Sequence, residues 1–404
     1  MSMIIEPKIR GFICTTAHPT GCAANVRQQI DIAKKQPKVQ GPKKVLVIGA
    51  STGYGLASRI MAAFGSGAST IGVFYEKAAS GKRTASAGWY NTAAFEEAAQ
   101  EGNLYAKSIN GDAFSAEIKQ QTLDLIKSDW QGEVDCVIYS LAAPRRVDAQ
   151  TGTIYNSTLK PLGKPYTNHT VNVMTGEVFD ITLEPANDEE ILHTEKVMGG
   201  EDWADWMQAL SQAGLLAKGV QTFAYSYIGP ELTFPIYRDG TIGAAKNHLY
   251  KTVSDIDQLL KPLNGKALIS INKALVTQAS SAIPVVPLYI SILYKIMKAN
   301  NIHEGCIEQI ARLFTEKLYS DKGIQTDAQG FIRLDDWEMR DDIQAEVSKR
   351  WAEVNTGNLN KLTDIEGYRH EFQRLFGFDI DGVPYAIEVD PEVLIPSIPE
   401  LIPI

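Results

Sequence analysis

Residues 43–64 constrain the fold of this chain more than any other stretch. A strong strand signal, Lys43–Gly49 (KKVLVIG), apolar without a break from Val45 to Ile48, leads into Gly49-Ala50-Ser51-Thr52-Gly53-Tyr54-Gly55 and then into a helical stretch, Leu56–Phe64. A strand without polar alternation must be covered on both faces, as parallel strands joined by crossover helices are. The glycines, spaced GxxxGxG, permit a tight turn in which backbone N–H groups lie bare at a helix N-terminus. The alternation continues through β-rich Thr70–Tyr75, helical Thr92–Gln100, a strand near Tyr105–Ile109, helical Ala116–Lys127 and a fourth strand, Val134–Leu141. It resumes with Gln221–Ile228, a helix over Gly243–Leu260 and a sixth strand near Ala267–Val276. The predicted class is α/β, a Rossmann-type doubly wound parallel sheet with right-handed crossovers.

Between Pro144 and about Glu195 the chain turns polar and rich in Thr, Gly and Pro, and MTGEVFDITL reads as a hairpin. This is an inserted β-rich segment over the sheet edge. The first 42 residues read as irregular, and the chain beyond Ser280 as mostly helical with a hairpin around Asp327–Leu334. With no repeat or low-complexity linker, one large domain is expected over 1–404. Its parts are an N-terminal extension (1–42), a dinucleotide-binding core (43–280, carrying the insertion 144–200) and a substrate lid with a helical C-terminal part (281–404). The net charge of −9 and pI near 5.3 disfavour nucleic acid and anionic membrane as partners. The longest apolar stretch, Ala282–Tyr294, is too short to span a bilayer and holds Pro284, Pro287 and Ser291. The start, MSMIIEPKIR, lacks a secretory pattern, and four cysteines make no disulfide scaffold, so a cytoplasmic setting is expected.

The Gly turn acquires meaning from an acid at the end of the second strand, Glu76, some 21 residues beyond Gly55. A carboxylate there accepts hydrogen bonds from adenosine ribose hydroxyls and repels a 2′-phosphate, so the combination points to NADH over NADPH. The alternative is a packing turn and a solvated strand-end charge. Two further strand ends fit the same site: Asp112 and Ala113 after the third strand, and Leu141 and Ala142 after the fourth. The candidate cofactor contacts are therefore Gly49, Ala50, Ser51, Thr52, Gly53, Tyr54, Tyr75, Glu76, Asp112, Ala113, Leu141 and Ala142.

After the fifth strand, Tyr237 precedes Lys246 with eight residues between (YRDGTIGAAK). Short-chain dehydrogenases usually pair a Tyr and a Lys with three residues between, and this pair resembles the wider spacing of the enoyl reductases of that superfamily, where hydride addition to an enoyl thioester creates an enolate that needs a hydrogen-bond donor at the thioester oxygen. A Tyr hydroxyl beside a Lys ammonium suits that role, and the ammonium can hold the nicotinamide ribose and lower the Tyr pKa. Gly240 and Gly243 would let the loop fold back onto the helix.

The chain resembles the FabV-type trans-2-enoyl reductases, which act on enoyl-acyl-carrier-protein or enoyl-CoA thioesters. The resemblance rests on PKIRGFICTTAHPTGC, VLVIGASTGYGLASRI, GWYN (Gly88–Asn91), EPANDEE, VMGGEDW, AYSYIGPE, YRDGTIGAAK and LVTQASSAIPVVPLY. It implies a monomeric, NADH-preferring enzyme that reduces the C2=C3 bond of a trans-2-enoyl thioester, as in the last step of fatty acid elongation. Tyr237 would be the proton donor or enolate stabiliser and Lys246 a cofactor ligand. Tyr227 and Thr277 would contact substrate, and Leu275, Val276 and Thr277 would line the nicotinamide. Some relatives carry a second Lys after the catalytic one, where this chain has Asn247; the Pro-rich ending Ile395–Ile404 is also atypical. Two other readings stand beside this one: a carbonyl reductase using the same Tyr/Lys pair, and a non-catalytic dinucleotide sensor.

Other constellations carry less. Cys14, His18 and Cys22 are spaced C-x3-H-x3-C without a fourth zinc ligand, so no metal is expected. Asp327–Glu338 lacks the third-position acid and sixth-position Gly of an EF-hand. Ala282–Tyr294 is either core or a lid over an acyl chain, and Trp203 and Trp206 read as packing.

Overall fold

The computed structural model describes residues 2–398. Seven parallel strands form the central sheet: β1 (Lys44–Ile48), β2 (Ser69–Phe74), β3 (Ala106–Asn110), β4 (Val134–Tyr139), β5 (Leu216–Ser226), β6 (Lys266–Ile271) and β7 (Phe331–Arg333). Their spatial order is β7-β6-β5-β4-β1-β2-β3, every neighbouring pair parallel. Val45, Leu46, Val47 and Ile48 are wholly buried, as a strand covered on both faces requires. The chain leaves β1 toward β2 on one side and enters β4 on the other. A crevice therefore opens at the carboxyl ends of these two strands.

Helices α1 (Pro19–Lys35), α2 (Gly53–Ile60), α3 (Ala87–Glu101) and α4 (Ala116–Trp130) belong to the first half. Asp188–Met198 (α5), Glu201–Gln212 (α6), Thr241–Leu260 (α7), Val286–Ala299 (α8), Cys306–Arg312 (α9), Asp341–Glu353 (α10) and Ile365–Arg374 (α11) follow. One sheet face packs against Val26 and Ile30 of α1, Leu56 and Ile60 of α2 and Ile310 of α9. The other face packs against α4, α6 and α7, where Trp203 and Trp206 are fully buried as packing residues. A third apolar cluster joins the chain beyond β6 to α8, α10 and α11.

Three expectations need correction. The first 42 residues are not irregular, because 19–35 form α1, with Pro19 at its first turn, the His18 side chain accepting from Gly21 N–H, and Lys34 and Lys35 in the last turn. Asp327–Leu334 is not a hairpin: Asp327 Oδ1 accepts from Gln329 N–H and Phe331 N–H, and the turn delivers Phe331–Arg333 as a seventh strand parallel to β6. The insertion holds two hairpins, Arg145–Val147 with Ile154–Asn156 and Tyr166–Val171 with Val178–Leu183, but it ends in α5, started by an Asn187/Glu190 capping box. No described helix is long and apolar enough to cross a membrane.

Candidate functional site

The turn after β1 is built by exclusion of side chains. Gly49 has φ +85°, and a Cβ there would run into the Ser140 carbonyl; one on Gly55 would run into the Gly49 carbonyl. The backbone is thus pulled between β1 and β4 while Gly53 (φ +53°) opens α2 toward a cavity of about 1090 Å³. Gly49, Ser51, Thr52, Gly53 and Tyr54 line that cavity, as do Tyr75, Glu76, Asp112, Ala113, Leu141 and Ala142. Ala50 does not: it is fully buried, its N–H donates to Val73 O, and its methyl faces Gly72. The stretch of bare amides at the start of α2 and the carboxylate of Glu76 suit a dinucleotide. Glu76 Oε1 accepts from Ser51 Oγ (2.7 Å), and burial raises its pKa against that bond and one from Ser86.

Sequence reasoning missed the residue that makes room for this carboxylate. Gly88, on α3, faces it so closely that a Cβ would overlap Glu76 Oε1 and lie 2.7 Å from Ser51 Cβ. Three residues on, Asn91 Nδ2 donates to Ser51 O (3.1 Å). Both lie in the GWYN motif, which was noticed only as part of a resemblance.

Lys246 and Tyr237 reach the cavity from either side of a closed turn. Tyr237 N–H donates to Thr233 O, Gly243 N–H donates to Tyr237 O, and a Cβ on Gly243 would strike the Arg238 carbonyl. The loop does fold onto the start of α7, through Gly243. Lys246 Nζ donates to Tyr225 O (3.1 Å), and burial pulls its pKa down to about 8. The expected lowering of the Tyr237 pKa does not appear: burial holds the phenol above its ordinary range. A neutral phenol is a proton donor. Asn247 is exposed and lies outside the cavity wall.

Five other phenols in the wall are engaged. Tyr225 Oη pairs with Ser58 Oγ (2.6 Å), Tyr54 Oη donates to Lys273 O (3.0 Å), and Tyr139 Oη donates to Asp202 (3.0 Å). Tyr294 Oη accepts from Val276 N–H (3.0 Å), and Tyr227 Oη donates to Glu338 Oε1 (2.9 Å). Among the described residues, Tyr237 and the exposed Tyr75 are the wall tyrosines whose hydroxyls have no hydrogen-bond partner. Tyr237 stands edge-on to Tyr227, ring centroids 4.8 Å apart.

Leu275, Val276 and Thr277 line the same cavity, and Thr277 caps the short helix Gln278–Ser281. Beyond them the wall turns apolar through Ile283, Val286, Ile290 and Tyr294. The segment Ala282–Tyr294 divides: one face of α8 lines the cavity, while Leu288 and Leu293 are fully buried away from it. Lys273, a buried cation in the wall, was also missed; burial pulls it down to about 8 although Glu338 and Glu304 push it up.

The Cys14/His18/Cys22 spacing serves packing: His18 Nδ1 accepts from Gly21 N–H (3.2 Å) and Cys14 Sγ bonds Thr16 O (3.2 Å). No described group of three or more His, Cys, Asp or Glu could hold a metal ion.

Residues 83–319 match the family model "Trans-2-enoyl-CoA reductase catalytic region" and residues 4–81 match "NAD(P)H binding domain of trans-2-enoyl-CoA reductase". A third match, "Enoyl reductase FAD binding domain", covers 326–389. That segment does not fit a flavin dinucleotide: its one sheet strand, β7, runs into Leu334-Asp335-Asp336-Trp337 with no glycine turn, and it lines the cavity only through Glu371, Arg374 and Leu375. The chain is 65% identical over 398 residues to a Coxiella burnetii protein named enoyl-[acyl-carrier-protein] reductase [NADH], covering 98% of each. It is 59% identical over 396 residues to a Flavobacterium johnsoniae protein of the same name, covering 98% of this chain and all of that one. Among solved structures, a trans-2-enoyl-CoA reductase of Clostridium acetobutulicum in complex with NADH superposes with TM-score 0.95 at 46% identity, over 98% of this chain and 100% of that one. The Treponema denticola trans-2-enoyl-CoA reductase in complex with NAD gives 0.92 at 49% identity, over 96% and 98%.

Proposed function

The chain belongs to the trans-2-enoyl-CoA reductase family, and from that premise we propose that it reduces the C2=C3 bond of trans-2-enoyl thioesters to the saturated acyl thioester with NADH. The observation that carries this reading is the unpartnered Tyr237 hydroxyl, set where a dinucleotide cradle gives way to an apolar wall. Bound NADH supplies the hydride for C3. Glu76 holds the adenosine ribose, the amides from Ser51 to Tyr54 face the pyrophosphate, and Lys246 holds the nicotinamide ribose. Asp112 and Ala113 border the adenine, and Leu141, Ala142, Leu275, Val276 and Thr277 border the nicotinamide, with Thr277 also facing substrate. Tyr237 donates to the thioester oxygen as negative charge develops there, and is the nearest proton source when C2 is protonated. Tyr227 offers its ring to the substrate, since its hydroxyl proton is committed to Glu338.

The relatives' names include both carriers, acyl-carrier protein and CoA, and the thioester end is common to both. We read the chain as a monomeric, single-unit cytoplasmic enzyme of fatty acid elongation. Four free cysteines, three of them buried, are consistent with a reducing compartment. The test is NADH absorbance with crotonyl-CoA and, separately, acetoacetyl-CoA. Oxidation with the enoyl substrate alone is expected; oxidation with the ketoacyl substrate alone would replace this reading by a carbonyl reductase.

A further inference from the structure

Glu338 is a fully buried carboxylate behind the cavity wall, in a chain segment for which neither the sequence nor the family resemblance supplied a role. Its Oε1 accepts from Tyr227 Oη (2.9 Å) and Tyr289 Oη (2.6 Å), and its Oε2 accepts from Ala274 N–H (2.7 Å). Its direct partners are three neutral donors, and the buried ammonium of Lys273 favours its charge from beyond ion-pair distance. Burying an acid this way is expensive compared with an apolar residue of similar size, and it is not what a core built for stability alone selects.

The three donors come from three different walls. Tyr227 follows β5, Ala274 begins the loop after β6 that includes Leu275–Thr277, and Tyr289 is on α8, whose Val286 and Ile290 face the cavity. Gly229 leaves room for the Tyr227 hydroxyl, since a Cβ there would sit 2.9 Å from it. With its hydroxyl held at Glu338, the long axis of the Tyr227 ring is fixed, and it is the ring that stands edge-on to Tyr237 at 4.8 Å.

We propose that Glu338 is a positioning residue of the reductase: by holding the Tyr227 hydroxyl it fixes the ring against which Tyr237 is aligned, and it ties α8 to the loop after β6. This rests on Tyr237 being the donor to the thioester oxygen. Misplacement of about 1 Å at a reacting group costs up to roughly a hundredfold in rate. Glu338→Gln keeps the shape but turns an amide nitrogen toward one of the three donors, so kcat falls about ten- to a hundredfold. NADH affinity, read by fluorescence titration, changes far less than kcat, because Glu338 itself touches no cofactor contact and reaches the loop bordering the nicotinamide only through the Ala274 N–H.

A double-mutant cycle supplies the readout that a merely structural acid would not move. Glu338→Gln and Tyr227→Phe together should cost little more in kcat than Tyr227→Phe alone, since the path from Glu338 to Tyr237 runs through that hydroxyl. Equal losses in both backgrounds, or a Glu338→Gln enzyme with wild-type kcat, would overturn the proposal. Should Glu338→Gln fail to fold, Tyr289→Phe replaces it: Tyr289 touches Glu338 yet lies outside the cavity wall, so a lower kcat with unchanged melting and NADH affinity supports the proposal and an unchanged kcat overturns it. Failure of the wild type to oxidise NADH with crotonyl-CoA would instead refute the proposed function, and is read before any variant.

Discussion

Adding one methyl group at Gly88 tests whether Glu76 is a ribose ligand without touching Glu76 itself. The Cβ of Gly88→Ala would overlap Glu76 Oε1 and lie 2.7 Å from Ser51 Cβ. Ordinary contact between non-bonded heavy atoms is about 3.5–4.0 Å, so the carboxylate must retreat by about 1 Å or more. Hydrogen bonds to a carboxylate hold only to about 3 Å, and a retreat of that size breaks them. Each such bond to a charged group contributes about 1.5–3 kcal/mol, and 1.4 kcal/mol is a factor of ten, so losing one or two raises the NADH dissociation constant at least tenfold and by more than a hundredfold at the upper end. Ser51 must also shift by a few tenths of an ångström, and melting run alongside checks that the fold is kept. The discrimination against NADPH should narrow as well, since the repelling charge has moved. The assay is fluorescence titration of both cofactors against wild type, Gly88→Ala, Glu76→Ala and the double variant. In the Glu76→Ala background the carboxylate clash is gone and only the 2.7 Å approach to Ser51 Cβ remains, so the methyl should cost much less than it does in the wild type. Unchanged NADH affinity in Gly88→Ala, or additive losses in the double variant, would refute the reasoning.

Tyr237→Phe should leave NADH binding and melting intact while lowering kcat about a hundred- to a thousandfold, the usual loss on removing one donor to a developing oxyanion; steady-state kinetics with crotonyl-CoA decide it. Lys246 titrates near 8 because burial disfavours its charged form, so kcat/KM for NADH should hold below about pH 7 and fall as pH rises through 8, and this limb should be missing in Lys246→Met. Val286 faces the cavity and Leu288 does not. Val286→Phe should therefore shift the chain-length profile toward short acyl groups, whereas Leu288→Ala should leave the profile alone and destabilise the fold by about 2–5 kcal/mol, read by melting.

The cradle was legible because its logic is local. A strand, a glycine turn and a helix follow one another within two dozen residues, and Glu76 falls at the end of the next strand. Tyr237 and Lys246 were legible for the same reason, being two ends of one turn. Ala50 shows the limit of that reasoning: it sits in the middle of the motif but points into the sheet, which spacing alone does not reveal. The seventh strand is three residues long, too short to carry a period, and exists because β6 offers an open edge. Helix α1 did leave signals, with Val26, Ile30 and Ala33 on one face and two lysines at its end, but the Gly and Pro residues around it masked them. Glu338 left none, since an isolated acid in an acidic segment gives no hint that three walls converge on it.

The Pro-rich ending shows how such non-local roles arise. Residues 399–404 lie outside the described part, but the segment before them is built into the fold: Ile395 is fully buried, Trp89 Nε1 donates to Val393 O (2.7 Å) and Tyr90 Oη to Pro391 O (2.7 Å). Ser397 donates through its N–H and Oγ to Glu96, whose carboxylate is buried 3.8 Å from Arg59, and accepts at Oγ from Ser108 N–H of the edge strand β3. Two needs are met by one serine. A buried carboxylate beside an arginine is stabilising only when its remaining acceptor capacity is filled, and an edge strand with bare amides invites pairing with other chains. These contacts also explain the GWYN motif residue by residue. Gly88 leaves room for the Glu76 carboxylate, Trp89 and Tyr90 anchor the C-terminal segment, and Asn91 holds the Ser51 carbonyl at the start of the cradle. A single turn of α3 thus couples the segment around Pro391 and Val393 to the start of the glycine turn at Ser51.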